Sequence, residues 1–374
     1  MTKKKALHII AFNIPFPADY GGIIDIFYKI IAFYNLGIDI HLHCFEYGRK
    51  HTNTLEKYCQ SVNYYKRKNG FKYIFSTTPY FIETRFDTTL LQNLIDQPYP
   101  ILSEGIHCSK TILNSSLKDR KRFVRTHNIE EYYYKALAVN ESTFWKKIYY
   151  YSEYIKSKHY EKKIDQFDGV FSISQNDFNH FKKITKSFFI RAFHSNTNIQ
   201  STEGTGRFAL YHGNLSVAEN HKAALFLIKE VFDDLDYHLI IAGKNPSKKL
   251  INAAKSNAKI RLIANPSQER MSSLISEAQM ILLPTHQNTG IKLKLIESLH
   301  KGRFCIVNDN MIKGTELEPF CELANHAANW KVKINELKEK PFNRDSIEER
   351  KKIITIFNNE AEAQKMVDII FKEK

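Results

Sequence analysis

Basic and acidic side chains are spaced along a predicted helix between two apolar runs, Met280–Leu283 and Phe304–Val307. The segment between the runs contains Gly290, then Lys294 and Glu297. This spacing predicts a strand, a loop, a helix and a second strand, with the lysine and the glutamate on one helix face. Backbone N–H groups at a helix N-terminus attract phosphate, and lysine adds a mobile positive charge. The pattern is therefore typical of a nucleotide diphosphate site.

Each group in this segment has a predicted role. We expect the loop amides to hold the pyrophosphate, Lys294 or Lys292 to neutralise it, and Glu297 to accept hydrogen bonds from the ribose. A hydrogen bond to a charged group contributes roughly 1.5–3 kcal/mol, whereas a surface Lys/Glu pair on a helix contributes about 0.2–0.5 kcal/mol. A surface helix with such a pair and no ligand is the structural alternative. The ligand-binding residues predicted in this segment are Thr289, Gly290, Ile291, Lys292 and Glu297.

Length and composition restrict the class of protein. A chain of 374 residues exceeds what one hydrophobic core usually supports, which predicts two domains. The formal net charge of +15 favours an anionic partner, such as nucleic acid, phospholipid headgroups or a phosphorylated small molecule. The five cysteines form no CxxC pair, so neither a disulfide framework nor a zinc site is indicated. We predict a cytoplasmic protein, and any membrane contact would be peripheral on the inner face, because no apolar run approaches roughly 20 residues.

Apolar strands alternate with helical stretches in both halves of the chain. Such alternation implies parallel sheets with crossover helices, so we predict an α/β fold with two tandem doubly wound, Rossmann-like domains facing a cleft. Residues 195–207 are polar and small, which is typical of a linker. We therefore place an N-terminal domain at 1–195, a C-terminal domain at 207–345 and a helical tail at 346–374 that could pack back toward the N-terminal domain.

Hydrophobic periodicity predicts the individual elements. The predicted strands are Leu7–Phe12, Ile38–Phe45, Ile101–Glu104, Arg122–Arg125, Val170–Ser174, Phe208–His212, His238–Ala242, Ile260–Ile263, Met280–Leu283 and Phe304–Val307. The predicted helices are Gly22–Leu36, a broken stretch at 130–164, Glu219–Phe232, Lys248–Lys255, Ser267–Glu277, Lys292–His300 and Ser346–Lys372.

The C-terminal half resembles the donor-binding domain of the retaining glycosyltransferases of group one, family four, which have the GT-B fold. Three stretches in the family's order and spacing carry the resemblance: Tyr211–Leu215, Leu239–Lys244 and Ala278–Val307. The resemblance implies transfer of a sugar from a nucleotide diphosphate sugar to a hydroxyl acceptor, with retention of the anomeric configuration. It also implies that the acceptor is a growing surface polysaccharide or a lipid-linked saccharide.

The sequence departs from the family pattern at Phe304, where a proline is usual, and at two positions that bear on donor recognition. Thr289 stands where many members have a glutamate eight residues before the helix glutamate, and Asn214 stands where an arginine usually follows Gly213. Sugar and phosphate recognition must therefore differ, although Gly213 and Asn214 remain predicted donor-binding residues by their position. Lys222 is the first candidate to replace the arginine, with a solvated helix lysine as the equal alternative, and Lys244 is the second candidate.

Two segments of the N-terminal half resemble cleft-facing loops of the same family. Gly21 and Gly22 follow the first strand and open a helix; glycines there let the backbone approach a phosphate or a sugar, although a tight turn would also use them. A later strand is followed by a segment that resembles a His-Asn-x-Glu motif of the group. The resemblance implies that His127 contacts the transferred sugar or the acceptor and that Asn128 faces the cleft. Capping of the next helix by Asn128 and Glu130 is the alternative.

One acidic pair could suggest a metal site. Asp234-Leu235-Asp236 has the Asp-x-Asp spelling with which many sugar transferases hold a metal-bound diphosphate. It lies at the amino end of a predicted strand, away from the expected site, so a solvated turn is the favoured interpretation. We predict neither a metal nor a cofactor, because basic residues and a helix N-terminus can stabilise the charge.

Aromatic and basic residues alternate from Phe144 to Lys163. This segment could rest on an anionic membrane surface or contact a lipid-linked acceptor. Packing of one aromatic stripe on the N-terminal domain is the structural alternative. A nucleic acid partner is not predicted, because no recognisable nucleic-acid-binding module accompanies the segment.

Taken together, these features predict a metal-independent, hexosyltransferase-like glycosyltransferase with His127 and Lys294 as catalytic residues. Its predicted partners are a nucleotide sugar donor and a saccharide or lipid-linked acceptor. Two alternatives stay open. A nucleotide-sugar epimerase of the same fold would need an acid/base carboxylate set that the sequence does not assemble, and a non-catalytic nucleotide-sugar binding protein would bind the donor without turnover.

Overall fold

The computed structural model describes residues 4–141, 143–286 and 293–372. These residues divide into two compact units. The first unit contains the described residues up to Ser195 and those from Phe357 onward, and the second spans Asn196–Ile356. A parallel sheet lies at the centre of each unit.

The sheet of the first unit has seven parallel strands within the described residues. They are β1 (Ala6–Ala11), β2 (Asp39–Glu46), β3 (Ser61–Lys66), β4 (Ile101–Glu104), β5 (Arg122–Thr126), β6 (Gly169–Ser172) and β7 (Ser187–Phe189). Their spatial order is β3-β2-β1-β4-β5-β6-β7, so the chain winds outward from β1 in both directions. The carboxyl ends of these strands therefore lie at one edge of the sheet.

Helices cover the faces of this sheet. They are α1 (Gly21–Asn35), α2 (Tyr80–Glu83), α3 (Thr88–Asp96), α4 (Ser109–Ile112), α5 (Glu130–Asn140), α6 (Phe144–Tyr160) and α7 (Gln175–Phe181). In α1, Ile23, Ile26, Ile30 and Phe33 recur at helical spacing and are fully buried. The amphipathic pattern of the sequence thus explains which face of α1 joins the core.

The second unit repeats the plan with six strands within the described residues. They are β8 (Ala209–Asn214), β9 (Leu239–Lys244), β10 (Ile260–Ala264), β11 (Met280–Leu283), β12 (Phe304–Val307) and β13 (Glu322–Leu323), in the spatial order β10-β9-β8-β11-β12-β13. Its helices are α8 (Ala218–Phe226), α9 (Lys248–Lys255), α10 (Gln268–Glu277), α11 (Leu293–Lys301), α12 (Asp309–Ile312), α13 (Ala327–Leu337) and α14 (Arg344–Ile356). No helix of the described residues is both long and apolar enough to span a bilayer.

The helical tail expected at 346–374 is two helices that belong to different units. The helix α14 ends in the second unit, and α15 (Asn359–Phe371) belongs to the first. Asn358 separates them, because its side-chain oxygen accepts from the backbone N–H of Ala361 at 2.9 Å and so starts a new helix. The residues of α15 buried in the same core cluster as α1 are Ala363, Met366, Val367 and Ile370.

The sequence pattern does not predict three strands, β3, β7 and β13. All three lie at the edge of a sheet, and they are half-exposed or only two to three residues long, so they lack a continuous apolar run. The helix expected at Glu219–Phe232 is α8 followed by a π-helical turn at Leu227–Val231. The strands at Met280–Leu283 and Phe304–Val307 have the predicted bounds.

A directed chain of hydrogen bonds runs through the core of the first unit. His8 Nε2 lies 3.0 Å from the carbonyl oxygen of Gln97, which can only accept, so Nε2 carries the proton and Nδ1 accepts from His43 Nε2 at 3.0 Å. His43 Nδ1 then accepts from the Tyr65 hydroxyl at 2.8 Å. These directions are those of two neutral imidazoles. Burial lowers the pKa of His8 to about 4 and that of His43 well below its usual value.

We expect acidification to destabilise the first unit through this chain. Because burial lowers the pKa of His8 from 6.5 to about 4, the unfolded chain binds the proton first as the pH falls. The stability is fully present above pH 6.5 and is lost as the pH falls toward 4, by roughly 3 kcal/mol from this group. Urea unfolding across this pH range measures the slope.

The variant His8→Asn should reduce this slope by the contribution of His8, whereas His326→Gln, at an exposed histidine of the second unit, should keep it. A free energy of unfolding that is independent of pH in the wild-type protein would contradict the assignment of neutral, directed histidines.

Candidate active site

Two glycines bring the carboxyl ends of β8 and β9 into close contact. Gly213 and Gly243 are paired in register, and a Cβ added to Gly243 would lie 1.8 Å from the carbonyl oxygen of Gly213. A side chain at that position would push the strand ends apart. Asn214 and Lys244 form the next pair and are exposed. The predicted donor-binding residues Gly213 and Asn214 therefore lie at the carboxyl edge of the second sheet.

Lys294 reaches this edge from α11. Its Nζ donates to the side-chain oxygen of Asn220 at 3.1 Å and lies 5.3 Å from the centre of the Tyr211 ring. The side-chain amide of Asn220 donates to the carbonyl oxygen of Asn214 at 2.9 Å, and the Tyr211 hydroxyl donates to the carbonyl oxygen of Asn220 at 3.1 Å. An amide and an aromatic face thus hold the ammonium group at the end of β8, where it can meet an anion.

A buried hydrogen-bond chain ties α11 to β8. The Ser298 hydroxyl donates to the carbonyl oxygen of Lys294 at 2.7 Å, so its oxygen accepts from His212 Nε2 at 3.0 Å. Burial lowers the pKa of His212 to about 4, so the ring is neutral and carries its proton on Nε2. Because His212 is the residue before Gly213, the helix that carries Lys294 is tied to the strand that ends at the site.

Glu297 lies one turn beyond Lys294 on α11. Its carboxylate accepts from Lys301 Nζ at 2.9 Å, and its side chain is 34% exposed. This is an i,i+4 pair on a partly exposed helix face, and such pairs contribute little to stability. A carboxylate offers two oxygens, so the pair with Lys301 is compatible with a further hydrogen bond from a ribose hydroxyl.

The first turn of α8 already carries a carboxylate. Glu219 accepts a hydrogen bond from the hydroxyl of Thr285, the second residue after β11. Thr285 is itself fixed by Asn308, whose side-chain oxygen accepts from the Thr285 N–H at 3.2 Å and whose amide donates to the Thr285 carbonyl at 2.7 Å. A negative charge at the N-terminus of a helix stabilises the helix, and the carboxylate of Glu219 would repel a phosphate bound at the same place. We therefore expect the pyrophosphate at α11 rather than at α8.

The two candidates to replace the family's arginine, Lys222 and Lys244, are both exposed. Lys222 lies on α8. Burial lowers the pKa of His286, and the positive charge of Lys222 lowers it further, so Lys222 is close to the segment that follows β11. Lys244 ends β9 as the register neighbour of Asn214. The position of Lys244 beside the strand end that Lys294 approaches makes it the better placed of the two.

Four predicted donor-binding residues, Thr289, Gly290, Ile291 and Lys292, lie outside the described residues. The sequence pattern assigns no role to the other residues of this edge. Polar side chains inside an otherwise apolar strand are a usable signal, because buried polar groups need partners. The residues added by the structure are Tyr211, His212, Glu219, Asn220, Thr285 and Ser298.

His127 follows β5 at the carboxyl edge of the first sheet. Its Nε2 lies 3.2 Å from a carboxylate oxygen of Glu104, at the end of β4, and its side chain is 11% exposed. A Cβ added to Gly22 would lie 3.9 Å from His127 Nδ1 and 3.2 Å from the Phe12 ring, so Gly22 allows the start of α1 to approach the histidine. Gly21, which begins α1, has open space around the position of a Cβ.

A fully buried ion network supports His127. Lys29 Nζ donates to Asp25 at 3.0 Å and to Glu104 at 2.9 Å, and Arg125 Nη2 donates to Asp25 at 2.9 Å. The side chains of these four residues are 0% exposed. Burial alone would raise the pKa of Asp25, but Arg125 and Lys29 hold that pKa well below its usual value. The network is charged and stabilises the conformation of Glu104, which contacts His127.

One group of potential metal ligands lies in this network. Ligand atoms of Asp25, Glu104 and His127 are all within 4.8 Å of one another. Lys29 and Arg125 already neutralise the two carboxylates, so the network satisfies its own charge. The Asp-x-Asp sequence lies in the bend before β9, where Asp234 pairs with Lys331 and Asp236 with Lys259. This agrees with the solvated-turn interpretation, and the metal-independent reaction stays a prediction.

The capping interpretation of Asn128 and Glu130 is wrong. The N-cap of α5 is Ile129, which has no hydrogen-bonding side chain, and Glu130 is the first helical residue. Glu130 is buried, and burial together with Glu161 raises its pKa to about 8. Asn128 is half-buried in the turn between β5 and α5, next to His127.

Known proteins resemble the chain at the level of sequence. Residues 206–318 match the family described as glycosyl transferases group 1. The chain is 25% identical over 400 residues to an uncharacterized 44.6 kDa protein in the cps region of Klebsiella pneumoniae, with 98% of each chain covered. It is 28% identical over 192 residues to a GDP-mannose:cellobiosyl-diphosphopolyprenol alpha-mannosyltransferase of Xanthomonas oryzae pv. oryzae, covering 48% of this chain and 46% of that protein.

Solved structures resemble the fold. TarM matches with a TM-score of 0.70 and 11% identity, covering 99% of each chain. The lipopolysaccharide outer core galactosyltransferase WaaB matches with a TM-score of 0.66 and 14% identity, covering 98% of this chain and 99% of that one. A variant of S. aureus TarM in complex with fondaparinux, alpha-GlcNAc-glycerol and UDP matches with a TM-score of 0.68 and 11% identity, covering 98% of this chain and 100% of that one.

The two parallel-sheet units and these likenesses define the fold of the chain as GT-B. Within the second unit, residues 206–318 match the glycosyl transferases group 1 family, and this match supports glycosyltransferase activity. The fold class and the enzyme class predicted from the sequence are confirmed.

Proposed function

We propose that the protein transfers a sugar from a nucleotide diphosphate sugar to a hydroxyl group of a saccharide or lipid-linked acceptor, with retention, during synthesis of a surface polysaccharide. One observation carries the donor half of this proposal. The ammonium group of Lys294 is held by Asn220 and Tyr211 at the carboxyl edge of the second sheet, inside the family domain. A positive charge fixed at that edge suits a pyrophosphate.

The names of relatives support the classes of donor and acceptor. The solved TarM variant is in complex with UDP and alpha-GlcNAc-glycerol. The Xanthomonas relative is named for GDP-mannose and a cellobiosyl-diphosphopolyprenol, and the Klebsiella relative lies in a cps region. These names favour a nucleotide diphosphate as the leaving group and a saccharide as the acceptor in this chain as well.

In the proposed reaction, the bond from the anomeric carbon to the diphosphate oxygen breaks and the acceptor oxygen bonds to that carbon. The acceptor's hydroxyl proton leaves with the nucleoside diphosphate. Lys294, with Lys292 and the loop amides, stabilises the charge that develops on the leaving group. Glu297 accepts hydrogen bonds from the ribose, and His127 contacts the reacting sugar. The remaining proposed contacts are Gly213, Asn214, Lys222, Lys244, Thr289, Gly290 and Ile291 for the donor and Gly21, Gly22 and Asn128 for the acceptor.

The proposal includes no metal ion and no cofactor, because lysines and helix amides can stabilise the departing diphosphate. We further propose that the reaction takes place in the cytoplasm, with the protein in peripheral contact with the inner face of the membrane. A lipid-linked acceptor would be presented there.

Incubation with a panel of UDP- and GDP-sugars tests the proposal and its alternatives. A glycosyltransferase should slowly release free sugar and nucleoside diphosphate from one donor, and an added saccharide acceptor should accelerate this release. An isomerised donor would instead assign an epimerase, and binding without turnover would assign a non-catalytic binding protein. The anomeric proton of the product, read by NMR, should show the configuration of the donor; the opposite configuration would contradict retention.

The variant Glu297→Ala is expected to weaken donor binding at least tenfold, because it removes hydrogen bonds worth roughly 1.5–3 kcal/mol to the ribose. Titration calorimetry with the nucleoside diphosphate measures the affinity. Lys301→Ala is the matched control, since it removes the ion-pair partner of Glu297 and leaves the carboxylate in place. Equal affinity in the wild-type protein and Glu297→Ala would remove Glu297 from the site, and equal losses in both variants would assign a structural role to the pair.

A further inference from the structure

The helix α6 exposes one apolar face. Phe144, Ile148, Tyr151 and Ile155 recur at helical spacing, and each is exposed, as is Trp145 at 76%. We call these five residues the aromatic face. The same helix also has a second set of aromatic residues that are partly or fully buried, so one aromatic stripe does pack on the first unit, as one interpretation of the sequence predicts; these are Tyr149, Tyr150, Tyr154 and Tyr160.

The opposite side of α6 packs on the first unit through tyrosines and polar groups, and the centre of the Tyr149 ring lies 6.5 Å from that of Tyr80. Glu153 is fully buried, and its carboxylate accepts from the backbone N–H of Tyr80 at 2.7 Å and from Lys156 at 3.1 Å. Tyr160 is buried as well, and its hydroxyl lies 3.0 Å from the Ser109 hydroxyl. Specific polar contacts thus fix the rotation of α6, so the outward direction of the aromatic face is determined by the fold.

A second apolar element lies beside α6. The 3-10 helix Phe71–Phe75 touches α6 through Lys156, whose Nζ donates to the carbonyl oxygen of Ile74 at 2.6 Å. Phe71 and Phe75 are 83% and 86% exposed. Two neighbouring elements therefore present large aromatic side chains to the outside, which exceeds the scattered single apolar residues of an ordinary surface.

The exposed charges of α6 are positive. Lys146, Lys147 and Lys158 are exposed, whereas Glu153, the one acidic residue in the sequence of α6, is buried and paired. The whole chain carries a formal net charge of +15. Aromatic side chains interleaved with lysines match the interface of an anionic bilayer, where the rings enter the headgroup region and the ammonium groups meet phosphate.

We propose that the aromatic face binds the headgroup region of an anionic phospholipid membrane, with α6 lying parallel to the surface. A second copy of the chain fits less well, because a symmetric contact through this face would bring the lysines of both copies together. The proposal deepens the proposed function, since it names the surface that would bring the enzyme to a lipid-linked acceptor. Vesicle binding does not depend on donor or acceptor chemistry, so the two proposals can fail separately.

Intrinsic fluorescence offers a direct test, because the chain has two tryptophans and only one of them is exposed. Trp145 is 76% exposed, and Trp330 is buried in the second unit at 1%. Addition of vesicles that contain phosphatidylglycerol should shift the emission of Trp145 to shorter wavelength, and vesicles of phosphatidylcholine alone should have little effect. High salt should weaken the binding.

Variants separate the apolar and the charged contributions. The double variant Trp145→Ser/Ile148→Ser should lower vesicle partitioning, measured by co-sedimentation, at least tenfold. Lys146→Gln/Lys147→Gln should lower binding to anionic vesicles and leave binding to neutral ones unchanged. The matched controls are Val332→Ser and Lys351→Gln/Lys352→Gln, at exposed positions of the second unit, and both should bind as the wild-type protein does.

Equal partitioning of the wild-type protein and Trp145→Ser/Ile148→Ser would overturn the proposal, as would the absence of binding to anionic vesicles. A concentration-dependent dimer that this variant abolishes would assign the face to a second copy and would also overturn it. Donor hydrolysis is the separate measurement. If the protein hydrolyses a donor but does not bind vesicles, the proposed function is supported and the membrane proposal is contradicted. If the protein binds vesicles but turns over no donor, the membrane proposal is supported and the proposed function is contradicted.

Discussion

Lys294→Met is expected to lower kcat by on the order of 10²- to 10³-fold, because removal of one fixed group that stabilises developing charge costs about 2.7–4 kcal/mol. The structure supports a specific role for this lysine, since Asn220 and Tyr211 hold its ammonium group at the end of β8. The charge on the diphosphate grows as the bond to the sugar breaks, so the loss should appear in kcat more than in KM.

Lys255→Met is the control, because it removes an exposed lysine at the last residue of α9, in the same unit. It should keep the kcat of the wild-type protein. Lys294→Arg should recover part of the loss, since it restores the charge with a different geometry. A variant Lys294→Met that keeps the wild-type kcat while it remains folded would contradict the role of Lys294.

Lys29→Met is expected to destabilise the first unit by about 3–5 kcal/mol, because loss of one partner leaves buried charges uncompensated. Lys29 bridges Asp25 and Glu104, and all three side chains are 0% exposed. The loss should exceed that of any surface lysine. Urea unfolding, followed by hydrogen exchange in α1 and β4, measures the effect within the first unit.

The exposed pair Lys4–Asp39 provides the matched control in the same unit. Lys4→Met should cost about 1 kcal/mol or less, as surface pairs do. The double variant Lys29→Met/Glu104→Gln should recover part of the loss, since it removes the carboxylate that loses its partner while Asp25 stays paired with Arg125. A cost of Lys29→Met no larger than that of Lys4→Met would show that the buried network does not stabilise the first unit.

The central strands of both sheets were predictable because their signal is local. Met280–Leu283 and Phe304–Val307 are continuous apolar runs between polar segments, and both form strands with those bounds. Ser61–Lys66 lies at a sheet edge with half-exposed side chains, so its residues carry no such run. The break between α14 and α15 depends on the cap at Asn358, a single polar residue that periodicity does not detect.

The sequence predicts which helix and which strands carry the candidate site, but it does not predict the side-chain contacts within that site. The position of Lys294 on a helix after β11 follows from local spacing. Its partner Asn220 lies 74 residues away in sequence, and Arg125 lies 100 residues from Asp25, so only the fold brings these pairs together. The outward aromatic face of α6 is a further case, because its rotation is set by the buried contacts of Glu153.

The affinity ratio between a nucleoside diphosphate and the matching monophosphate tests the central claim most directly, because the two ligands differ only in the second phosphate, which Lys294 is proposed to contact. Titration calorimetry should show at least tenfold tighter binding of the diphosphate to the wild-type protein, as expected for a charge-assisted contact of roughly 1.5–3 kcal/mol. In Lys294→Met this ratio should fall clearly below the wild-type value, and the preference that remains would come from Lys292 and the loop amides. The same ratio in both proteins would contradict a pyrophosphate bound at the edge where α11 meets β8.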